Sequence, residues 1–176
     1  MRAPHACVIM EFINLEGKIP AAEWFKLIVP IMQEGYRLQI CPEGRSMIPF
    51  LKGGRDEAVL SLPGSREFQV NDIVLYKIEN NIHVLHRIYR IDKSGIYTLG
   101  DAQTNIEGPF QRDDIIAVAD YIIRKGKKID RNNRKYLLLV TIWRLLRPLR
   151  PIIIRSHKML CAFRYSRRKR KAVPGS

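Results

Sequence analysis

Three residues of types that can share the work of nucleophilic catalysis stand at turns or on predicted strands of this chain. Ser46 follows Gly-Arg, His86 lies in an alternating apolar stretch, and Asp101 follows a glycine. A serine hydroxyl is a weak nucleophile at neutral pH and needs a nearby base. A neutral imidazole suits that role because its ordinary pKa of ~6.5 lies near working pH, and a carboxylate can hold its tautomer. The three residues therefore predict hydrolysis with Ser46 as nucleophile, His86 as base and Asp101 as orienting acid.

Each residue taken alone has a more ordinary interpretation. Most Ser-Met-x-Pro tetrapeptides open loops, although the proline here also predicts an extended conformation at Ile48. A lone histidine among apolar neighbours is more often structural, and Asp101 can cap a turn. Alternation places His86 on the strand face of Val84 and Ile88, which is the face expected to point inward. The catalytic interpretation therefore requires the three residues to meet in space.

Short strands are the elements that must position these residues. Stretches with alternating or β-branched residues, bounded by Gly, Asn and Asp, predict strands at 36–41, 57–62, 73–78, 82–91, 96–99 and 115–123, and more loosely within 3–14. Asparagines between the third and fourth of these predict a hairpin. The pattern indicates a mainly β fold, either an all-β sheet or a small open barrel.

Two stretches have helical spacing instead. The first predicts an N-terminal helix between Pro20 and Gly35, bent at Pro30, with its apolar stripe in the core. The second, residues 132–146, predicts a C-terminal amphipathic helix with a narrow polar stripe. Pro148 and the next proline, at 151, are expected to end it.

Length and charge favour one ordinary domain with an appendage. The chain has 176 residues, of which 46% are hydrophobic, and a formal net charge of +14. Residues 121–176 hold 18 of the 31 basic residues and one acid, whereas residues 1–120 carry a net charge of −3. We expect an N-terminal strand and helix segment at 1–35, a β domain at 36–123 and a basic amphipathic helix with its tail at 124–176. The acidic main domain argues against nucleic-acid binding there.

The C-terminal segment predicts contact with a membrane surface. It has too few consecutive apolar residues and too many arginines to span a bilayer, so a helix lying in the interface or docked on a partner fits better. The cluster Arg167–Lys171 is of the kind that anionic lipid attracts. We expect peripheral contact through residues 133–171, with a solvated, disordered end as the alternative. Nucleic-acid binding through residues 124–171 is the weaker alternative, because these basic residues are not part of any recognisable nucleic-acid-binding motif.

No cofactor or metal is predicted. Cys7, Cys41 and Cys161 have neither disulfide-framework nor metal-ligand spacing, and reduced, buried thiols are the favoured interpretation. The first apolar run is too short for a secretory signal or an anchor. These features lead us to expect a cytoplasmic protein, held at the inner membrane face by its C-terminal segment.

Four short motifs follow one another in order and spacing, namely Gly44-Arg45-Ser46-Met47-Ile48-Pro49, Asn71-Asp72-Ile73-Val74, His86-Arg87-Ile88 and Gly100-Asp101-Ala102. Together they resemble the catalytic core of the signal peptidase I superfamily, whose relatives include self-cleaving SOS-type repressors. The resemblance covers about residues 36–120. It implies a mostly β fold of coiled sheets, a serine endopeptidase activity and Ser46 as the nucleophile.

Members of that superfamily differ in the residue that serves as the general base. Typical bacterial signal peptidases and the repressors use a lysine, but Lys77 does not match the position of that lysine. The chain resembles instead the Ser-His branch of endoplasmic-reticulum and spore-former type signal peptidases, which implies His86 as base and Asp101 as supporting acid. Glu107 is the candidate for the second acid of that branch.

The chain also departs from the superfamily's pattern. The Gly-Asp that usually follows Ser-Met-x-Pro is stretched to Gly53-Gly54-Arg55-Asp56, and neither a membrane anchor nor a helix-turn-helix precedes the core. We therefore expect a maturation or leader-trimming peptidase that acts on a peptide or preprotein. The alternative is a non-catalytic peptide- or membrane-binding module with the same β domain and basic tail.

Overall fold

The computed structural model describes residues 7–9, 21–78 and 82–156. Its strands are β1 (Cys7–Ile9), β2 (Arg37–Ile40), β3 (Glu57–Ser61), β4 (Ile73–Lys77), β5 (His83–Asp92), β6 (Gly95–Leu99), β7 (Glu107–Phe110), β8 (Ile115–Arg124) and β9 (Lys127–Asp130). Its α-helices are α1 (Ala21–Gln33), α2 (Arg134–Leu145) and α3 (residues 150–156). Two short 3-10 helices lie at Arg112–Asp114 and Arg147–Leu149. The predicted mainly β fold is confirmed.

All nine strands belong to one sheet. Its order is β1-β2-β3-β8-β4-β5-β6-β7, with β9 also paired to β8. The β1–β2 pair is parallel, and the other pairings are antiparallel. The predicted hairpin is formed by β4 and β5, in a register that sets Val74 opposite His86.

Apolar side chains cover both faces of the sheet. One core cluster includes Leu38, Leu60, Leu75, Leu85 and Ile122, and the second is built from Val74, Tyr76, Ile88, Ile96, Ile115 and Val118. Because side chains alternate along a strand, β5 supplies Leu85 to the first cluster and Ile88 to the second. Val84 packs against the second cluster as well, so the predicted face of β5 is confirmed.

The helix α1 contributes Ile28 and Met32 to the first cluster. It ends at Gln33, and Gly35 follows with φ +94, as expected of a residue that stops a helix in the left-handed region. Pro30 lies inside the helix. The predicted position of this helix is therefore confirmed. Its predicted core stripe is confirmed for Ile28, Ile31 and Met32 but not for Leu27, which is 63% exposed.

The sequence pattern does not predict two of the strands, because each lies at an edge of the sheet and pairs with a neighbour on one side only. The strand β7 contains Gly108 and Pro109, and β9 reads Lys-Lys-Ile-Asp. Proline and charge are tolerated at the edge of a sheet, where one side of the strand makes no ladder. Neither strand therefore shows the alternating apolar pattern by which the others were predicted.

The predicted end of α2 before Pro148 is confirmed, because the helix ends at Leu145. Pro148 lies in the 3-10 helix, and Pro151 lies in the first turn of α3. A proline is tolerated there because the first N–H groups of a helix have no partner within it. The 3-10 helix and α3 are therefore separate short helices that follow α2 up to residue 156.

The C-terminal segment also packs on the β domain. The strand β9 pairs with β8 across the predicted boundary at residue 124, and Tyr136 and Val140 of α2 belong to the first core cluster. Within the part of the chain that the structure describes, no helix is long and apolar enough to cross a bilayer. Predictions for residues 157–171, for Cys161 and for most of the 3–14 strand lie outside the described residues, and Cys41 is a half-buried free thiol.

Candidate active site

Ser46 lies half-buried in a run of turns over residues 44–51. Gly44 opens this segment with φ +87, and the buried side chains of Met47, Phe50 and Leu51 anchor it in the first core cluster. The amides of Phe50 and Leu51 both bond to the carbonyl of Met47, at 3.1 and 2.9 Å. The segment is thus turned rather than extended after Ser46, because burial of Met47 and Phe50 on the same side requires a tight return of the chain.

The loop after β6 is joined directly to this turn. The amide of Ala102 donates to the carbonyl of Ser46 over 2.7 Å. A Cβ added to Gly100 would lie 2.9 Å from that same carbonyl oxygen, so only glycine fits there without a shift of the backbone. The serine and Gly-Asp-Ala motifs of the sequence are therefore in contact.

The register of β5 and β6 brings His86 close to this junction. Arg87 pairs with Leu99, so one further step of the register sets Gly100 alongside His86. Within the described part of the chain, however, no hydrogen bond joins the Ser46 hydroxyl to the imidazole. The structure thus brings the backbone at Ser46 beside the strand of His86 and leaves their side chains unbonded.

His86 is buried, with 3% of its surface exposed, and is held through one ring nitrogen. Its Nδ1 lies 2.9 Å from the hydroxyl of Tyr76 and 3.3 Å from Oε2 of Glu107. The Tyr76 hydroxyl also donates to the Glu107 carboxylate and accepts from the hydroxyl of Thr98 over 2.9 Å. Tyr76, Thr98 and Glu107 come from β4, β6 and β7, so three neighbouring strands surround one imidazole.

Proton counting within this network fixes the tautomer of His86. A tyrosine hydroxyl carries one proton and two lone pairs. Since Tyr76 gives its proton to Glu107, its contact with Nδ1 requires His86 to be the donor. A neutral imidazole with its proton on Nδ1 has its lone pair on Nε2. That is the nitrogen which a general base uses in a serine hydrolase.

The pKa shifts in this network favour the same protonation states. Burial lowers the pKa of His86 below its ordinary value, and Glu107 and Asp101 only partly oppose the shift. Burial and the nearby Glu107 raise the pKa of Tyr76 far above its usual range. At neutral pH the imidazole is therefore neutral and the tyrosine remains a proton donor.

Asp101 lies on the other side of β5 and has a different partner. Its two carboxylate oxygens accept from Nε and Nη2 of Arg87, at 3.0 and 2.9 Å. Arg87 also donates to the hydroxyl of Tyr136 over 2.9 Å and to the carbonyl of Asn71 over 2.8 Å. Burial alone would lower the pKa of Arg87, but Asp101 and Tyr136 raise it above its ordinary value. Asp101 makes no hydrogen bond to His86 in this part of the structure.

The helices α2 and α3 hold the loop that carries Asp101. The indole of Trp143 donates to the carbonyl of Asp101 over 2.6 Å, and Arg147 donates to the carbonyl of Thr104 over 2.8 and 3.0 Å. The buried Arg150 donates to the carbonyls of Gly100 and Gln103, at 3.2 and 2.8 Å. Side chains from the helical segment thus hold this loop on both sides of Ala102, the residue whose amide is bonded to the Ser46 turn.

An open cleft of about 590 Å³ separates this loop from α3. Its walls are the segment from Ala102 to Asn105 on one side and Pro151, Ile154 and Arg155 on the other. Glu107 lines the cleft while it contacts His86, and 32% of its side chain is exposed. The His86 network therefore reaches solvent through Glu107.

The sequence predicts Glu107 as a candidate second acid, but it does not predict that Tyr76, Thr98 and Tyr136 belong to the site. A buried tyrosine or threonine on an apolar strand needs a hydrogen-bond partner, and this need was the available signal. Among the described residues, no group of three His, Cys, Asp or Glu side chains is placed to hold a metal ion. Comparison with protein-family models, with curated proteins and with solved structures found no match.

Proposed function

We propose that this chain is a serine endopeptidase with a core similar to that of the signal peptidase I superfamily. Ser46 is the nucleophile, and His86 is the general base. The observation that carries the proposal is the junction of the Ser46 turn with the loop after β6, which flanks His86. A nucleophile and a base on elements that meet, with the base already oriented by an acid, are the parts that this chemistry requires.

The proton shuttle in this proposal uses Nε2 of His86. Nδ1 is occupied by Tyr76 and Glu107, so Nε2 takes the proton of the Ser46 hydroxyl and later returns it to the leaving amine. The missing Ser46–His86 hydrogen bond agrees with a free enzyme, because catalytic hydrogen bonds often tighten only when substrate binds. In this scheme Glu107 orients His86, and Asp101 acts on it only through its charge.

Backbone amides of the serine turn are the proposed oxyanion donors. Among the described residues, the N–H groups of Ser46 and Met47 donate to no main-chain carbonyl, whereas the following amides of the turn are bonded within it. Free donors beside the nucleophile can stabilise the negative oxygen of a tetrahedral intermediate. Such a donor typically contributes ~3–4 kcal/mol to the transition state.

The substrate that we propose is an extended stretch of a peptide or preprotein. An exposed strand edge can pair with such a peptide through main-chain hydrogen bonds, while small pockets read alternate side chains. The cleft beside Glu107 gives room for the chain on the side of α3. The resemblance to signal peptidases adds the expectation of small residues just before the cut.

A fluorophosphonate probe tests this function without knowledge of the substrate, because it reacts with activated serines. Purified wild-type protein should be labelled at Ser46, and labelling should vanish in Ser46→Ala. Ser65→Ala is the matched control, since Ser65 is exposed on a loop away from the site and should not matter. Equal labelling of Ser46→Ala and wild type would sink the proposal.

The second candidate is a non-catalytic peptide- or membrane-binding module. The observation that favours it is the absence of a hydrogen bond between Ser46 and His86 in the described residues. In that case a folded wild-type protein would fail to react with the probe at pH 7.5, where His86 is neutral. The same labelling experiment therefore separates the two functions.

A further inference from the structure

The helical segment 134–156 buries Tyr136 and Val140 in the first core cluster but also exposes other large apolar side chains. Six large apolar side chains lie on its outer surface, and we call them the outer stripe: Leu138, Leu139, Ile142, Leu145, Leu149 and Ile152. Their exposed fractions run from 46% at Ile142 to 76% at Leu145. They are half of the large apolar residues that are exposed in the described part of the chain, although the segment is short. The stripe is therefore a concentrated apolar surface.

Several polar side chains within the segment face the protein instead, although Arg134, Lys135 and Arg155 are exposed. Trp143, Arg147 and Arg150 reach inward to the carbonyls of the loop after β6, and the Tyr136 hydroxyl accepts a hydrogen bond from Arg87 of the buried Arg87–Asp101 pair. A surface helix normally buries its apolar side and exposes its polar side. Because specific contacts hold the inner side of this segment, rotation of the helix cannot hide the outer stripe.

The surroundings of the stripe are strongly basic. Residues 131–176 contain 14 Lys and Arg residues and no Asp or Glu. Arg134 and Lys135 are exposed at the beginning of the stripe and Arg155 at its end, and seven further basic residues follow within 157–176. An apolar surface whose charged neighbours along the chain are all basic is complementary to a surface that is both apolar and anionic.

We propose that the outer stripe docks on an anionic lipid bilayer, with α2 and α3 lying in the interface. Leucine and isoleucine side chains enter the acyl boundary while lysine and arginine contact the headgroups. A second copy of the chain is a poorer occupant, because two such surfaces would bring positive charge against positive charge. The proposal does not depend on catalysis by Ser46.

Flotation of the purified full-length protein with lipid vesicles tests the proposal. Phosphatidylcholine vesicles containing phosphatidylserine should carry the protein upward, and vesicles of phosphatidylcholine alone should carry much less. The double variant Leu145→Gln/Leu149→Gln should bind the anionic vesicles about tenfold or more weakly, since each buried leucine contributes substantially to transfer out of water. Raised salt should weaken binding further by screening the headgroup contacts.

Two further variants complete the test. Leu27→Gln is the matched control, because Leu27 is 63% exposed on α1 and should leave vesicle binding unchanged. Replacement of the basic residues within 167–171 by glutamine should weaken binding without abolishing it. Wild-type affinity in the leucine double variant, or no vesicle binding by the wild type, would overturn the proposal. A dimer in solution that the double variant dissociates, without vesicle binding, would assign the stripe to a second copy.

Discussion

His86 and Arg87 are neighbours on β5 but belong to two very different environments. The side chain of His86 lies on the face of the second core cluster, bonded to Tyr76 and reaching solvent through Glu107. The side chain of Arg87 lies on the opposite face, where Asp101 and Tyr136 enclose it in a buried ion pair. His86 is a neutral group with an unused lone pair, whereas Arg87 is a charged group that makes four hydrogen bonds.

This difference indicates a structural role for the Arg87–Asp101 ion pair and a chemical role for the His86 imidazole. A buried ion pair with two carboxylate contacts and further donors keeps its members in one state, so it suits a role in positioning the loop after β6. A neutral imidazole, fixed at Nδ1 and connected to solvent, can exchange a proton near neutral pH. We therefore propose that Glu107 orients His86 and that Asp101 supports the loop after β6, and four measurements can test this proposal.

The largest effect is expected for His86→Ala. Labelling of Ser46 by the fluorophosphonate probe should slow by orders of magnitude, because no other group replaces Nε2 as base. His83→Ala is the matched control on the same strand, since its side chain points to the other face and labelling should stay near the wild-type rate. Equal loss in both variants would mean that β5 itself, rather than its imidazole, is required.

Asp101→Ala should affect stability most. It leaves the Arg87 guanidinium buried without its carboxylate, a change that typically costs ~3–5 kcal/mol in the free energy of unfolding. Urea unfolding followed by circular dichroism measures this cost. A stable Asp101→Ala variant that labels as slowly as His86→Ala would return Asp101 to the catalytic role that the sequence suggested.

Glu107→Gln should change catalysis more than stability. Loss of the carboxylate removes the charge that raises the pKa of His86, so the acid limb of the labelling rate against pH should move to lower pH. The labelling rate at neutral pH should fall by less than the roughly 100–10,000-fold typical of losing a general base altogether, because His86 itself remains. An unchanged acid limb would show that Glu107 does not act on His86.

The smallest effect concerns the pH dependence of stability. Because burial lowers the pKa of His86 in the folded protein, the unfolded chain binds more protons between that value and ~6.5. The free energy of unfolding should therefore fall as the pH drops below ~6.5. The difference between wild type and His86→Gln in urea unfolding at pH 7.5 and 5.5 isolates this contribution, and a difference that stays constant contradicts it.

Much of the sheet was predictable because its central strands are apolar and alternate. The β4–β5 hairpin and the face shared by Val84, His86 and Ile88 followed from the side-chain period alone. The edge strands β7 and β9 did not, since an edge makes fewer demands on side chains. The local pattern of apolar residues thus predicts which side chains a strand buries, but it does not predict which strands form the edges of the sheet.

The partners of the two acids were not predictable in the same way. Asp101 and Glu107 both follow β6, and nothing local decides which of them turns toward His86. The decision depends on Tyr136, which lies 49 residues after Arg87 in the chain and reaches the same guanidinium from α2. The pairing of Asp101 with Arg87 therefore depends on a long-range contact, and no local sequence motif predicts it.

The hydrogen bonds that the C-terminal helical segment donates to the loop after β6 also limit how far the chain can be shortened from its C-terminal side. A protein ending at Asp130 would retain all nine strands of the sheet. It would nevertheless leave the carbonyls of Gly100, Asp101, Gln103 and Thr104 without the donors that Trp143, Arg147 and Arg150 supply. The smallest autonomous unit should consequently include residue 150, so that the basic C-terminal segment begins as an integral part of the fold.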